Sequence, residues 1–117
     1  MIESNRRGVA LCRAAAVAIA LAIALAAAAE EQATGSIAEG NSLFNQYCSH
    51  CHGPNAEQGE RPRDLRRLKI RYGDNRAEVF RTTVANGRPE KGMPTWSGVL
   101  DPKIQEKIWA YLETVQQ

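Results

Sequence analysis

Cys48-Ser49-His50-Cys51-His52 constrains this chain more than any other stretch of its sequence. Two thiols three positions apart on a turn of helix reach one edge of a porphyrin together and form thioethers with its vinyl groups, while the adjacent imidazole of His52 meets the iron. Two other chemistries use the same spacing, and each requires partners. A redox dithiol follows a strand in an α/β pattern, and no such pattern occurs here. A structural zinc site takes four ligands, yet no Cys or His follows His52. Chance is the remaining explanation, and three specific residues coinciding in an exported chain argue against it. A covalently attached c-type haem is therefore the expected cofactor.

Export is read from the start of the chain. Residues 14–29, AAAVAIALAIALAAAA, are sixteen uncharged residues, eleven of them Ala, preceded by Arg6, Arg7 and Arg13 and followed by Glu30 and Glu31. A basic segment, an apolar run shorter than the roughly 20 residues of a membrane span, and a small-residue end of A-x-A type form a secretory signal. Cleavage is expected after Ala29, which discards Cys12 with the leader and leaves no stable membrane insertion. The expected organisation is a signal peptide at 1–29, a flexible start at 30–36 and one folded domain at 37–117.

Beyond residue 29 the chain keeps 88 residues, 12 basic and 12 acidic, and only 29 of them are apolar. A domain this small with so few apolar residues has a marginal core of its own, so a bound group is expected to fill part of the interior. Formal neutrality and the lack of an aromatic-interleaved basic stripe exclude nucleic acid as a partner. One segment stands out electrostatically: between residues 61 and 71, Arg61, Arg63, Arg66, Arg67, Lys69 and Arg71 face a single Asp64. It reads either as a docking patch for an acidic redox partner or guard of the haem propionates, or as a solvated face.

Periodicity places the elements. A first helix is predicted from about Ile37 to Cys48, with Leu43, Phe44 and Tyr47 on one side and Gly40 marking a close helix crossing. A short helix is predicted near Leu65, Leu68 and Tyr72. Another opens on a capping box of Asn75 and Glu78, carries Phe80 and Val84, and stops at Gly87. The last begins at Asp101-Pro102 and carries Ile104, Ile108, Tyr111, Leu112 and Val115 at helical spacing, with Trp109 toward the edge of the stripe. No segment alternates with period two, so the fold class is all-α with long loops.

With His52 as one axial ligand, the sixth coordination position has three candidates: His50, Met93, or an open site. His50 is confined to the two-residue insert between the anchoring cysteines and cannot cross to the far face of the ring. Met93 stands 41 residues after His52, the only Met beyond the leader, in a loop bounded by Gly92 and Pro94 with no apolar period to join. A thioether there is a soft, neutral ligand that favours ferrous iron and closes the site to substrates.

CSHCH, then ANG followed by KGMPTW, then a helix ending AYLETV resemble a small class I cytochrome c across residues 37–116. That resemblance implies thioethers at Cys48 and Cys51, axial His52 and Met93, and a first helix whose Gly40 and Phe44 meet Tyr111. It also implies a Pro carbonyl accepting the Nδ1–H of His52, for which Pro62 and Pro54 both qualify, Leu65 against the haem, and Tyr72, Trp96 and Arg71 near the propionates. RYGDNRAEVF and GRPEKGMPTWSGVLDP are similar to the short cytochromes c that accept electrons from periplasmic quinoprotein (PQQ-dependent) alcohol dehydrogenases. The implied protein is a soluble, monomeric, periplasmic one-electron carrier and not an enzyme. A donor to a terminal oxidase, a haem subunit of a larger dehydrogenase and a peroxidase-like haem enzyme are the alternatives.

Overall fold

The computed structural model describes residues 3–57 and 63–117, with side chains from Ala15 onward. The chain divides into two compact units, residues 1–34 and 35–117. In the first, the described residues are all helical, the opening part of α1 (Glu3–Tyr47). Its side chains from Ala15 to Thr34 are exposed, Val17, Ile19, Leu21, Ile23 and Leu25 among them. By length and composition this helix suffices to cross a membrane, a test that a signal sequence near the N-terminus also passes. The helix does not begin at Ile37 as predicted: residues 30–36 are helical too, with Thr34 Oγ1 donating to Glu30 O at 2.8 Å. Ala, Glu and Gln favour helix without any apolar stripe, so periodicity alone missed this stretch.

In the second unit, α1 ends at Tyr47 and is followed by α2 (Ser49–His52), a turn at Pro54–Ala56, and a 3₁₀ turn (Leu65–Arg67) running into α3 (Leu68–Tyr72). A further turn (Gly73–Asn75) leads to α4 (Arg76–Asn86), and a long loop connects it to α5 (Pro102–Thr114). Among the described residues the only strand-like pairing is an isolated antiparallel bridge between Arg88 and Met93. The all-α class read from the sequence is the fold observed.

Helix α5 organises the core. Asp101 caps it by accepting from Lys103 N at 2.7 Å, Pro102 fixes the first turn, and Ile108, Tyr111 and Leu112 are buried. Trp109, predicted at the edge, is also buried, because α4 covers that side: its ring lies 5.1 Å from Phe80, and Arg76 and Arg81 reach across to Glu113 and Glu106 in bidentate pairs. On its other side α5 crosses α1 at Gly40. A Cβ there would overlap the Lys107 carbonyl and lie 3.0 Å from Tyr111 Cβ, so only hydrogen permits the approach. One turn on, Phe44 meets Tyr111 at 5.7 Å, and Lys107 Nζ donates to Glu39 at 2.6 Å. The predicted crossing is therefore observed residue for residue.

Helix α4 buries Phe80 and Val84 and ends at Gly87, as its pattern predicts, but the capping box does not form. Asn75 makes no capping bond, because residues 73–75 already coil into a 3₁₀ turn that leads straight into α4, and Glu78 accepts from Thr82 instead.

Candidate haem centre

The five-residue motif sits on a tightly held turn. Cys48 N donates to Phe44 O at 2.8 Å, His52 N to Cys48 O at 3.0 Å and Gly53 N to Ser49 O at 2.8 Å, so helical bonding continues from α1 through α2. Gly53 then breaks it at φ 80. Two asparagines that sequence reasoning did not single out lock the exit: Asn45 Oδ1 accepts from Asn55 N at 2.8 Å and Asn45 Nδ2 donates to Asn55 Oδ1 at 2.9 Å. Asn55 occupies the left-handed region at φ 54, which asparagine tolerates better than most residues, and its carbonyl accepts from Tyr111 Oη at 2.9 Å. The turn after His52 is thereby tied to both α1 and α5.

His52 donates from Nδ1 to the Arg63 carbonyl at 2.7 Å. A carbonyl can only accept, so Nδ1 carries the proton and the Nε2 lone pair is left available to a metal. Burial pushes the imidazole below its ordinary pKa, the bond to Arg63 O pushes it back up, and the nearby Arg63 charge lowers it; the net effect favours the neutral, ligating form. The orienting carbonyl is thus that of Arg63. Pro54 O is taken by Glu57 N at 3.0 Å, and Pro62 lies outside the described residues. Cys48 and Cys51 are free thiols. Burial, with Cys51 beside it, pushes the Cys48 thiol up to about 11, so this position suits an uncharged sulfur.

Met93 is presented by a small, well-anchored loop. Arg88 and Met93 exchange both backbone bonds, at 2.8 and 3.0 Å, around the turn at Pro89–Lys91 and the left-handed Gly92. Beyond it, Trp96 N donates to Val84 O at 3.0 Å and Thr95 Oγ1 to Ala85 O at 2.7 Å. Gly87 makes the close approach possible, since a Cβ would stand 2.6 Å from Pro94 C. The Trp96 ring rests edge-on against Tyr47 at 6.0 Å.

Cys48, Cys51, His52 and Met93 line one cavity of about 420 Å³. Its wall is built largely from Phe44, Leu65, Leu68, Phe80, Val84, Leu100, Ile108 and Leu112, and Tyr72, Trp96 and Arg71 line it as well. His50 is exposed and lies outside that wall. The size falls within the roughly 300–1,000 Å³ of ligand sites. Four cationic residues, Arg63, Arg71, Arg88 and Lys91, line it, and no carboxylate does among the described residues. Two free thiols, an imidazole with its Nε2 available, a thioether and an apolar wall with cations for two carboxylates fit a covalently bound haem. When bound, that group supplies an iron that cycles between ferric and ferrous states.

The basic segment divides by use. Arg66 donates its backbone N–H to the capping Asp64 carboxylate, donates from Nη2 to Glu57 O at 3.0 Å and accepts from Gln117 N on its carbonyl, so it holds the fold together. Arg71 Nη2 donates to Asp64 O at 2.7 Å. Arg63 and Lys69 are exposed, and Arg61 lies outside the described residues.

Fold and site together define a small all-α domain of the c-type cytochrome class. The family described as "Cytochrome C oxidase, cbb3-type, subunit III" matches residues 35–112, and the chain belongs to it. It is similar to the quinohemoprotein alcohol dehydrogenase ADH-IIG of Pseudomonas putida, 34% identical over 79 residues that cover 68% of this chain and 10% of that protein. It is also similar to cytochrome c550 of Pseudomonas aeruginosa, 38% identical over 83 residues covering 68% of this chain and 56% of that one. The chain thus spans about half or less of the length of these curated relatives. No solved structure matches it significantly. Membership brings covalently bound haem c with iron and makes the domain a haem-based electron carrier.

Proposed function

We propose that Cys48 and Cys51 hold the haem by thioethers, that His52 and Met93 are its axial ligands, and that the domain works in the periplasm as a one-electron carrier taking electrons from a quinoprotein alcohol dehydrogenase. The observation that carries this reading is the convergence of all four side chains on one apolar cavity. Each residue then has a defined task. Arg63 O keeps the Nδ1 proton of His52 in place and so presents Nε2. The Arg88–Met93 bridge holds the thioether in its loop. Phe44, Leu68 and Leu112 exclude water, and Arg71 and Arg88 offset the propionate charge. The exposed helix of residues 15–29 fits a signal removed after Ala29, leaving a soluble monomer.

For the donor, support comes from the likeness to part of a quinohemoprotein alcohol dehydrogenase and from the resemblance of residues 71–80 and 87–102. A second reading, service to a terminal oxidase, is favoured by the description of the matching family. Mixing the reduced and oxidised protein with each purified enzyme separates them, since only the physiological partner exchanges electrons rapidly. Ligation is tested with carbon monoxide. The reduced protein should not bind it at neutral pH, whereas Met93→Ala should keep its haem, bind carbon monoxide and show a lower potential. Binding by the unaltered protein would favour a peroxidase-like centre, and an unchanged potential in Met93→Ala would remove Met93 from the ligand set.

A further inference from the structure

We propose that Gln116 is a positioning residue for the His52 ligand, acting through the strap of residues 63–69 whose Arg63 carbonyl accepts the imidazole proton. The inference rests on the reading of His52 as an iron ligand. The Arg63 carbonyl shares a peptide plane with Asp64 N, so its direction is set by the Asp64 backbone (φ −73, ψ 103). Asp64 is buried, and its carboxylate caps the Leu65–Arg67 turn by accepting from Arg66 N at 3.0 Å. The turn that follows is held from across the domain. Gln116 Nε2 donates to Leu65 O at 2.8 Å, Gln116 Oε1 accepts from Lys69 N at 3.0 Å, and Gln117 N donates to Arg66 O at 2.9 Å.

One side-chain amide therefore satisfies a carbonyl of the 3₁₀ turn and an amide in the first turn of α3, where Arg67 supplies no capping bond of its own. Gln116 Nε2 also donates to Leu112 O at 2.9 Å, which fastens the amide to α5, the helix that crosses α1 at Gly40. The helix pair that carries the anchoring turn is thus rigidly connected to the carbonyl that aims the ligand. Removing the amide frees Leu65 O and Lys69 N together and lets the strap, with Arg63 O, draw away from His52. A longer bond to Nδ1 leaves the imidazole less basic, which destabilises the ferric state.

The test uses the full holoprotein and three variants. In the ferric wild type, the His52 Nδ1 proton should appear as a slowly exchanging, paramagnetically shifted resonance. Its absence would refute the ligand reading itself, before any variant is made. Gln116→Met keeps the length and removes every hydrogen bond; its Nδ1 proton should exchange about tenfold or more faster and its potential should rise. Gln116→Glu keeps the acceptor for Lys69 N and loses the donor to Leu65 O, so it should show the same changes in smaller measure, and it decides the matter if Gln116→Met yields no holoprotein. Arg76→Met breaks the ion pair to Glu113 and should lower stability while leaving potential and exchange unchanged. Unaltered exchange and potential in folded Gln116 variants, or equal changes in Arg76→Met, would overturn the proposal.

Discussion

Gly40→Ala isolates the contact on which the two-helix frame depends. In an isolated helix the change is favourable, because alanine exceeds glycine in helix propensity by about 1 kcal/mol. Here the new methyl would overlap the backbone carbonyl of Lys107 and touch Tyr111 Cβ. A backbone group cannot swing aside as a side-chain tip can, so relief requires α1 and α5 to separate, which loosens Phe44 on Tyr111 as well. Overpacking typically costs about 1–3 kcal/mol, and a backbone neighbour puts this site at or beyond the upper end. Net of propensity, the expected loss is about 2 kcal/mol or more, a fall in Tm of roughly 8–16 °C or more for a domain of this size. Gly35→Ala supplies the opposite sign: a Cβ there meets nothing within 4 Å, so propensity alone acts and Tm should hold or rise slightly. Thermal unfolding of the holoproteins by circular dichroism measures both. A Gly40→Ala protein as stable as the wild type would refute the close crossing.

Tyr111→Phe removes the bond to Asn55 O while keeping the ring on Phe44, and should cost about 0.5–1.5 kcal/mol in denaturant unfolding; no loss would show that the left-handed turn is held by Asn45 alone. Glu106 sits below the ordinary carboxylate pKa because Arg81 donates to it. Its stabilising contribution is therefore full above its unfolded pKa and disappears as pH falls through the folded one, so the Tm advantage of wild type over Glu106→Gln should vanish in acid, and an advantage that grows in acid would contradict the pairing. Lys91→Glu places negative charge on the wall of a cation-lined cavity, and Lys69→Glu places it on the exposed part of the basic segment. With an acidic redox partner they should slow electron transfer at low ionic strength and differ little from wild type at high salt; equal rates at low salt would leave these cations as ordinary solvated surface.

Much of this arrangement is legible in the sequence, for identifiable reasons. Helix α5 announces itself through Asp101, Pro102 and an apolar stripe, Cys48, Cys51 and His52 through a pentapeptide whose spacing few chemistries share, and Met93 through a Gly/Pro-bounded loop with no apolar period. Trp109 falls at the edge of the stripe yet is buried, because a helical stripe reports one buried face, whereas α5 is covered on two. The Asn75 box failed because side-chain caps compete with backbone turns, and the 73–75 coil preceded it. The orienting acceptor on His52 is illegible in the sequence: a backbone carbonyl carries no residue signature, and Arg63 supplies it rather than a proline. Asn45, Asn55 and Gln116 act through contacts far apart in sequence, and only Asn55, beside Gly53-Pro54, offered a local hint in its tolerance of left-handed backbone.

Every role assigned above depends on covalent anchoring of haem to the turn between α1 and α2. Its most direct measurement is the mass of the proteolytic peptide that contains residues 48–52, taken from protein made alongside a cytochrome maturation apparatus and stripped of all non-covalent haem with acidified acetone. A single peptide heavier by one haem is expected, with both Cys48 and Cys51 blocked to alkylation. Unmodified peptide, alkylated at both thiols, would contradict it.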